Sequence, residues 1–123
     1  MANYNENVEL YLNENGDVGV LYSPGYGAGW STWNSDEYAY DKRIVEKFIE
    51  NPDMFHEYKS FTRKEDPIPE LAKFMTELGY DGYYGGAEDL KLTFIPRGIL
   101  FRITEYDGFE GIETFKPRNY ILF

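Results

Sequence analysis

Three glycines alternate, at Gly25, Gly27 and Gly29, in the stretch Ser23-Pro24-Gly25-Tyr26-Gly27-Ala28-Gly29-Trp30-Ser31-Thr32-Trp33-Asn34. A helix is expected shortly after them. Exposed backbone N–H groups at a helix start attract anions, so this spacing raises the chemistry of a phosphate cradle. The rest of the pattern argues against it. No Gly-Lys-Ser/Thr ending follows, and no parallel crossover context frames the loop. The first cation in the chain is Lys42, so a bound phosphate would find no local counter-charge. The structural alternative explains the same residues. Glycines let neighbouring chain approach closely, and Ser31, Thr32, Asn34 and Ser35 satisfy turn and cap donors.

The carboxylates offer a second chemistry. Glu88 and Asp89 precede an expected strand, and Glu105, Asp107 and Glu110 surround an Asp107-Gly108 turn. Paired carboxylates serve general acid–base catalysis or hold a divalent cation. The spacing of a calcium loop is absent, however, and turns are where aspartate belongs. The expectation is therefore solvated turn acids. Arg102 lies mid-strand, where it can pair with Glu105, Glu110 or Glu113 across a hairpin. His56 is the sole histidine. It has no nucleophile or metal partner at a recognised spacing. No coherent catalytic set emerges, which leans against an enzyme, and no cofactor or metal site is expected.

The third chemistry is aromatic. Tyr26, Trp30 and Trp33 in the first glycine-rich stretch, with Tyr83 and Tyr84 in the second, would form a binding platform if exposed. Rings of this kind anchor protein interfaces and stack on bases and sugars. Packed inward, the same rings would be core.

The elements that must position these residues follow from the pattern. The 123 residues suit one domain spanning 1–123. Residues 8–12 and 18–23 alternate as strands around an Asn15-Gly16 turn, giving an N-terminal hairpin. A helix is expected over roughly 36–50, capped by Asn34, Ser35 or Asp36, with Tyr40, Ile44, Val45, Phe48 and Ile49 on its apolar face. Asn51-Pro52 stops it. Met54, Phe55, Tyr58 and Phe61 suggest a short helical turn. A second helix begins near Pro67 or Pro69 and ends at Gly79. Strands follow over 90–95, 99–106 and 109–115, and Tyr120 to Phe123 reads as a last short strand after a break at Lys116-Pro117-Arg118-Asn119. The expected class is α+β: a mainly antiparallel sheet of about five or six strands, with two helices packed on one face.

Composition narrows function further. The chain has no cysteine, 12 Tyr, 9 Phe and a formal net charge of −10. The charge disfavours nucleic-acid phosphates and anionic membranes and favours a partner with a basic surface. No apolar run reaches the roughly 18–20 residues of a membrane span. The N-terminal residues lack the pattern of a signal peptide, so a cytoplasmic protein is expected. Open sheet edges in a small α+β domain leave room for a homodimer.

Three blocks together resemble a group of small acidic phage and prophage proteins of unassigned activity. They are Tyr22 to Asn34, Gly85-Gly86-Ala87-Glu88-Asp89-Leu90, and Phe101-Arg102-Ile103-Thr104-Glu105-Tyr106-Asp107-Gly108-Phe109-Glu110. The resemblance implies a setting, the cytoplasm of an infected bacterium, and no catalytic residues. From that setting and the charge, the leading expectation is a non-enzymatic accessory protein that binds a host macromolecule with a basic surface, as an inhibitor of a defence system of the anti-CRISPR type. Alternatives are a small-ligand binder, for a nucleotide signal or a sugar, that uses the aromatic glycine-rich loops, and a metal-dependent enzyme that uses the turn carboxylates.

Overall fold

A computed structural model describes residues 4–59 and 67–115. Its elements run β1 (Val18–Tyr22), a 3-10 turn (Ser31–Trp33), α1 (Glu37–Tyr40), α2 (Lys42–Glu50), α3 (Pro52–His56), α4 (Glu70–Glu77), a second 3-10 turn (Gly85–Asp89), β2 (Lys91–Ile95), β3 (Leu100–Tyr106) and β4 (Phe109–Phe115). The class is α+β.

The strands form two antiparallel pairs, β1 with β2 and β3 with β4, rather than one sheet of five or six. The N-terminal hairpin is reduced to its turn. Gly16 takes φ +79°, as Asn-Gly predicts, but residues 8–12 contribute only single bridges, Leu12 to Val18 and Leu10 to Asp41. β1 pairs with β2 instead, in the register Val18 to Ile95. Leu21, fully buried, stands opposite Leu92 in that register. Residues 8–12 alternate polar and apolar, so they suit an edge rather than the buried centre. The expected strand over Tyr120 to Phe123, the break before it, and Phe61 lie outside the described residues.

The expected single helix over 36–50 is broken at Asp41, whose ψ of 120° leaves helical space. α2 then buries Ile44, Val45 and Phe48, while Ile49 is exposed. Asn51 caps α3 through Oδ1 and Pro52 opens it, so the signal that stops one helix starts the next. α4 buries Leu71, Ala72 and Met75, and Gly79 follows it at φ +93°.

The β1–β2 pair lies between two apolar clusters. Gly19 and Leu21 face the helices, and a Cβ at Gly19 would sit 3.1 Å from Val45. On that side Leu21, Trp30, Tyr38, Ile44, Val45, Phe48, Phe55 and Met75 form the main core. Val20 and Ile95 face the other way, with Ala39 and Tyr40, against Ile103 and Ile112 of the β3–β4 hairpin. The glycine-rich loop runs between these two layers.

Candidate functional site

The loop does cradle an anion, and the anion is part of the chain. Glu110, the second residue of β4, is fully buried. Its Oε1 accepts the Ser23 backbone N–H at 2.8 Å. Its Oε2 accepts the N–H groups of Trp30 at 2.8 Å and Thr32 at 3.0 Å, together with the Thr32 hydroxyl. The Glu110 N–H in turn donates to the Ser23 carbonyl at 2.8 Å. A buried carboxylate is costly unless its lone pairs are satisfied, and here four donors converge on two oxygens. The expectation of a solvated turn acid fails for this residue. The donors that made the loop resemble a phosphate site are consumed by Glu110.

The glycines permit this wrapping. A Cβ at Gly29 would lie 3.1 Å from Glu110 Oε2 and 2.8 Å from the Trp33 ring. One at Gly86 would lie 2.7 Å from the Gly29 carbonyl oxygen. The two glycine-rich stretches therefore meet backbone to backbone, with no ligand-sized gap at that contact. Ser23 completes the seam by donating its hydroxyl to the Gly86 carbonyl at 2.8 Å.

The five aromatic candidates separate into two groups. Trp30 and Tyr84 are core. Trp30 is wholly buried, donates Nε1–H to the Tyr38 carbonyl at 2.7 Å, and meets Tyr38 and Phe55 edge to face. Tyr84 is buried and donates its hydroxyl to the Tyr80 carbonyl. Tyr26, Trp33 and Tyr83 are surface residues, 70%, 44% and 47% exposed. Trp33 stacks on Tyr83, with centroids 5.8 Å apart and planes 27° apart. Tyr26 packs against Phe109 of β4, with centroids 5.0 Å apart.

Both pairs are held from below. Asn34, expected to cap a helix, instead donates to the carbonyls of Trp30 and Tyr83 and accepts the Tyr83 N–H. The Trp33 indole donates to Glu105 Oε2 at 3.3 Å. The same carboxylate accepts the Gly108 N–H at 2.8 Å. The Gly108 amide first, and the Trp33 indole second, hold the Glu105 carboxyl below the ordinary range. Gly27 N–H donates to the Asp107 carbonyl, which ties Tyr26 to the β3–β4 turn. Sequence reasoning missed Phe109 and Glu105 as neighbours of these rings. The Asp107-Gly108 turn signal was the available clue, because it brings both strand ends to one place.

A second buried carboxylate, Asp41, is structural. It caps α2 by accepting the Arg43 N–H, takes Arg43 Nε and Nη2 on its two oxygens, and accepts the Tyr80 hydroxyl at 2.7 Å. Burial pushes its carboxyl up, but the Arg43 and Tyr80 hydrogen bonds more than offset this and hold it below the usual aspartate range. Burial, followed by the Asp41 contact, pushes the Tyr80 phenol up, so it stays a donor. A depressed folded value means that this stabilisation is complete above the unfolded aspartate value of about 4 and is lost as pH falls through the lower folded one. Tyr80→Phe is expected to cost about 1.5–3 kcal/mol at pH 7, the range for a hydrogen bond to a charged group. The difference from the parent protein should shrink on acidification below about pH 4. Urea melts at pH 7 and pH 3 check both, and an equal loss at the two pH values would refute the linkage.

The remaining candidates do not converge. Arg102 pairs with Glu113 at 2.9 Å and lies over the Phe115 ring. His56 Nε2 lies 3.0 Å from the Leu90 carbonyl, a contact that needs the proton on that nitrogen. Among the described residues no group of three or more His, Asp or Glu is arranged to hold a metal ion. None of the described helices is long and apolar enough to cross a membrane. A groove of about 420 Å³ runs beside the hairpin, lined in part by Tyr40, Leu100, Phe101 and Arg102. Comparison with protein-family models, curated proteins and solved structures finds no match for the chain.

Proposed function

We propose that the protein is a non-enzymatic phage accessory protein that docks on a basic host macromolecule in the bacterial cytoplasm and inhibits a defence system. The observation that carries the docking reading is the exposed, stacked Trp33–Tyr83 pair, pinned by Asn34 and Glu105. Pinned rings give up little conformational freedom on binding, which suits interface anchors. The resemblance of the three sequence blocks supports the setting, and the net charge of −10 supports a basic partner through steering.

The test is capture from host lysate at low and high salt, with the Trp33→Ala/Tyr83→Ala double variant in parallel. Retention of a specific protein that weakens in salt and disappears with the double variant is expected. Capture unaffected by loss of both rings would remove this face as the docking site.

A further inference from the structure

The aromatic face has a charge pattern that names its ligand more closely. Residues 23–34, 79–90 and 103–111, the three segments that build it, contain neither Lys nor Arg; Lys91 and Arg102 flank them, and Arg102 is held by Glu113 at 2.9 Å. They carry the exposed carboxylates Asp81, Glu88, Asp89, Glu105 and Asp107. The segments are in contact. Asp89 abuts Gly25, the Asp107 carbonyl accepts from Gly27, Glu105 accepts from Trp33, and Trp33 stacks on Tyr83. Tyr106, 77% exposed, stands on β3 opposite Phe109. The exposed Trp33–Tyr83 stack thus has an exposed carboxylate, Glu105, against it, and the nearby Arg102 is already paired with Glu113.

We propose that this face recognises arginine side chains of a basic protein segment. The inference rests on the docking reading above. A guanidinium is planar and weakly hydrated, so it stacks on an aromatic face while its edge pairs with a carboxylate. Trp33 and Tyr83 supply the faces, and Glu105, at the Trp33 indole, supplies the carboxylate. An ammonium is a compact, strongly hydrated point charge and uses only part of the arrangement. Nucleic acid would stack on the rings but would bring phosphates against the carboxylates, with no cation in these segments to meet them. A neutral sugar would use the rings and gain little from five carboxylates.

The experiment titrates the full chain with octa-arginine, octa-lysine, a neutral oligosaccharide and a single-stranded oligonucleotide. It follows the two indole N–H resonances by NMR and affinity by calorimetry. Octa-arginine is expected to bind about tenfold more tightly than octa-lysine and to shift the Trp33 indole. The Trp30 indole, buried on the Tyr38 carbonyl, should stay in place and report that the fold is intact. Trp33→Ala should cut arginine binding about tenfold with the Trp30 resonance unchanged, and Glu105→Gln should weaken it less. Equal affinity for the two peptides, or a Trp33 response to the oligosaccharide or oligonucleotide alone, overturns the proposal. If arginine peptides fail while ring-dependent capture from lysate persists, the ligand class is wrong and the docking reading stands. If that capture also fails, the docking reading falls as well.

Discussion

Glu110→Ala is expected to lower stability by about 4 kcal/mol, because each buried donor left without a partner costs about 1–3 kcal/mol. The substitution orphans the N–H groups of Ser23 and Trp30 in the buried seam, and that of Thr32 at its margin. It also removes the side-chain contacts that fasten the loop to β4. For a chain of this size the melting temperature should fall by about 15 °C. Glu110→Gln separates shape from chemistry. Its amide oxygen can serve the Trp30 and Thr32 donors, but its NH2 then faces the Ser23 N–H, so a loss of about 1–3 kcal/mol is expected. Urea denaturation of both variants provides the check. A cost below about 0.5 kcal/mol for the alanine variant, the range of an ordinary surface substitution, would show that the carboxylate does not hold the loop.

Gly108→Ala should be nearly as damaging, for two separable reasons. Gly108 sits at φ +84°, which disfavours any side chain, and an added Cβ would lie 2.8 Å from Ala28 Cα. The backbone penalty is about 1–2 kcal/mol and the steric one about 1–3 kcal/mol. Gly16 provides the reference, with φ +79° and nothing within 4 Å of where a Cβ would stand. Gly16→Ala should therefore show the backbone penalty alone. Equal losses at the two positions would mean that the loop moves away from the hairpin turn without cost.

The local signals proved readable. Asp107-Gly108 gave the β3–β4 hairpin, with φ +50° and +84° at its two central residues, because a two-residue turn needs just those conformations. Gly79, Asn51 and Pro52 marked helix ends for similarly local reasons. The break at Asp41 was not readable. Tyr40, Ile44, Val45 and Phe48 keep helical spacing across it, and the buried aspartate is held by Arg43 together with the distant Tyr80, which no local pattern reveals. The pairing of β1 with β2 and the burial of Glu110 failed for the same reason, since each depends on contacts far along the chain. One clue to Glu110 was present in principle. It shares strand parity with Ile112, which packs on the second apolar cluster, so an inward direction followed from alternation. Nor could the division of five rings into core and surface be read from residue type. Trp30 and Trp33 are separated by two residues in one turn and point to opposite fates.

The carboxylate that fills the loop arrives late. Ser23, Trp30 and Thr32 wait for an acceptor 87, 80 and 78 residues further along the chain. During synthesis the loop donors must remain hydrated until β4 has emerged, and β1 likewise lacks its strand partner until β2 follows. Such long closures are entropically costly before they are rewarded, which slows folding relative to a chain with local pairings. A nascent fragment that ends before Glu110 should therefore fail to order its N-terminal third, and the aromatic face should assemble in one of the last steps of folding.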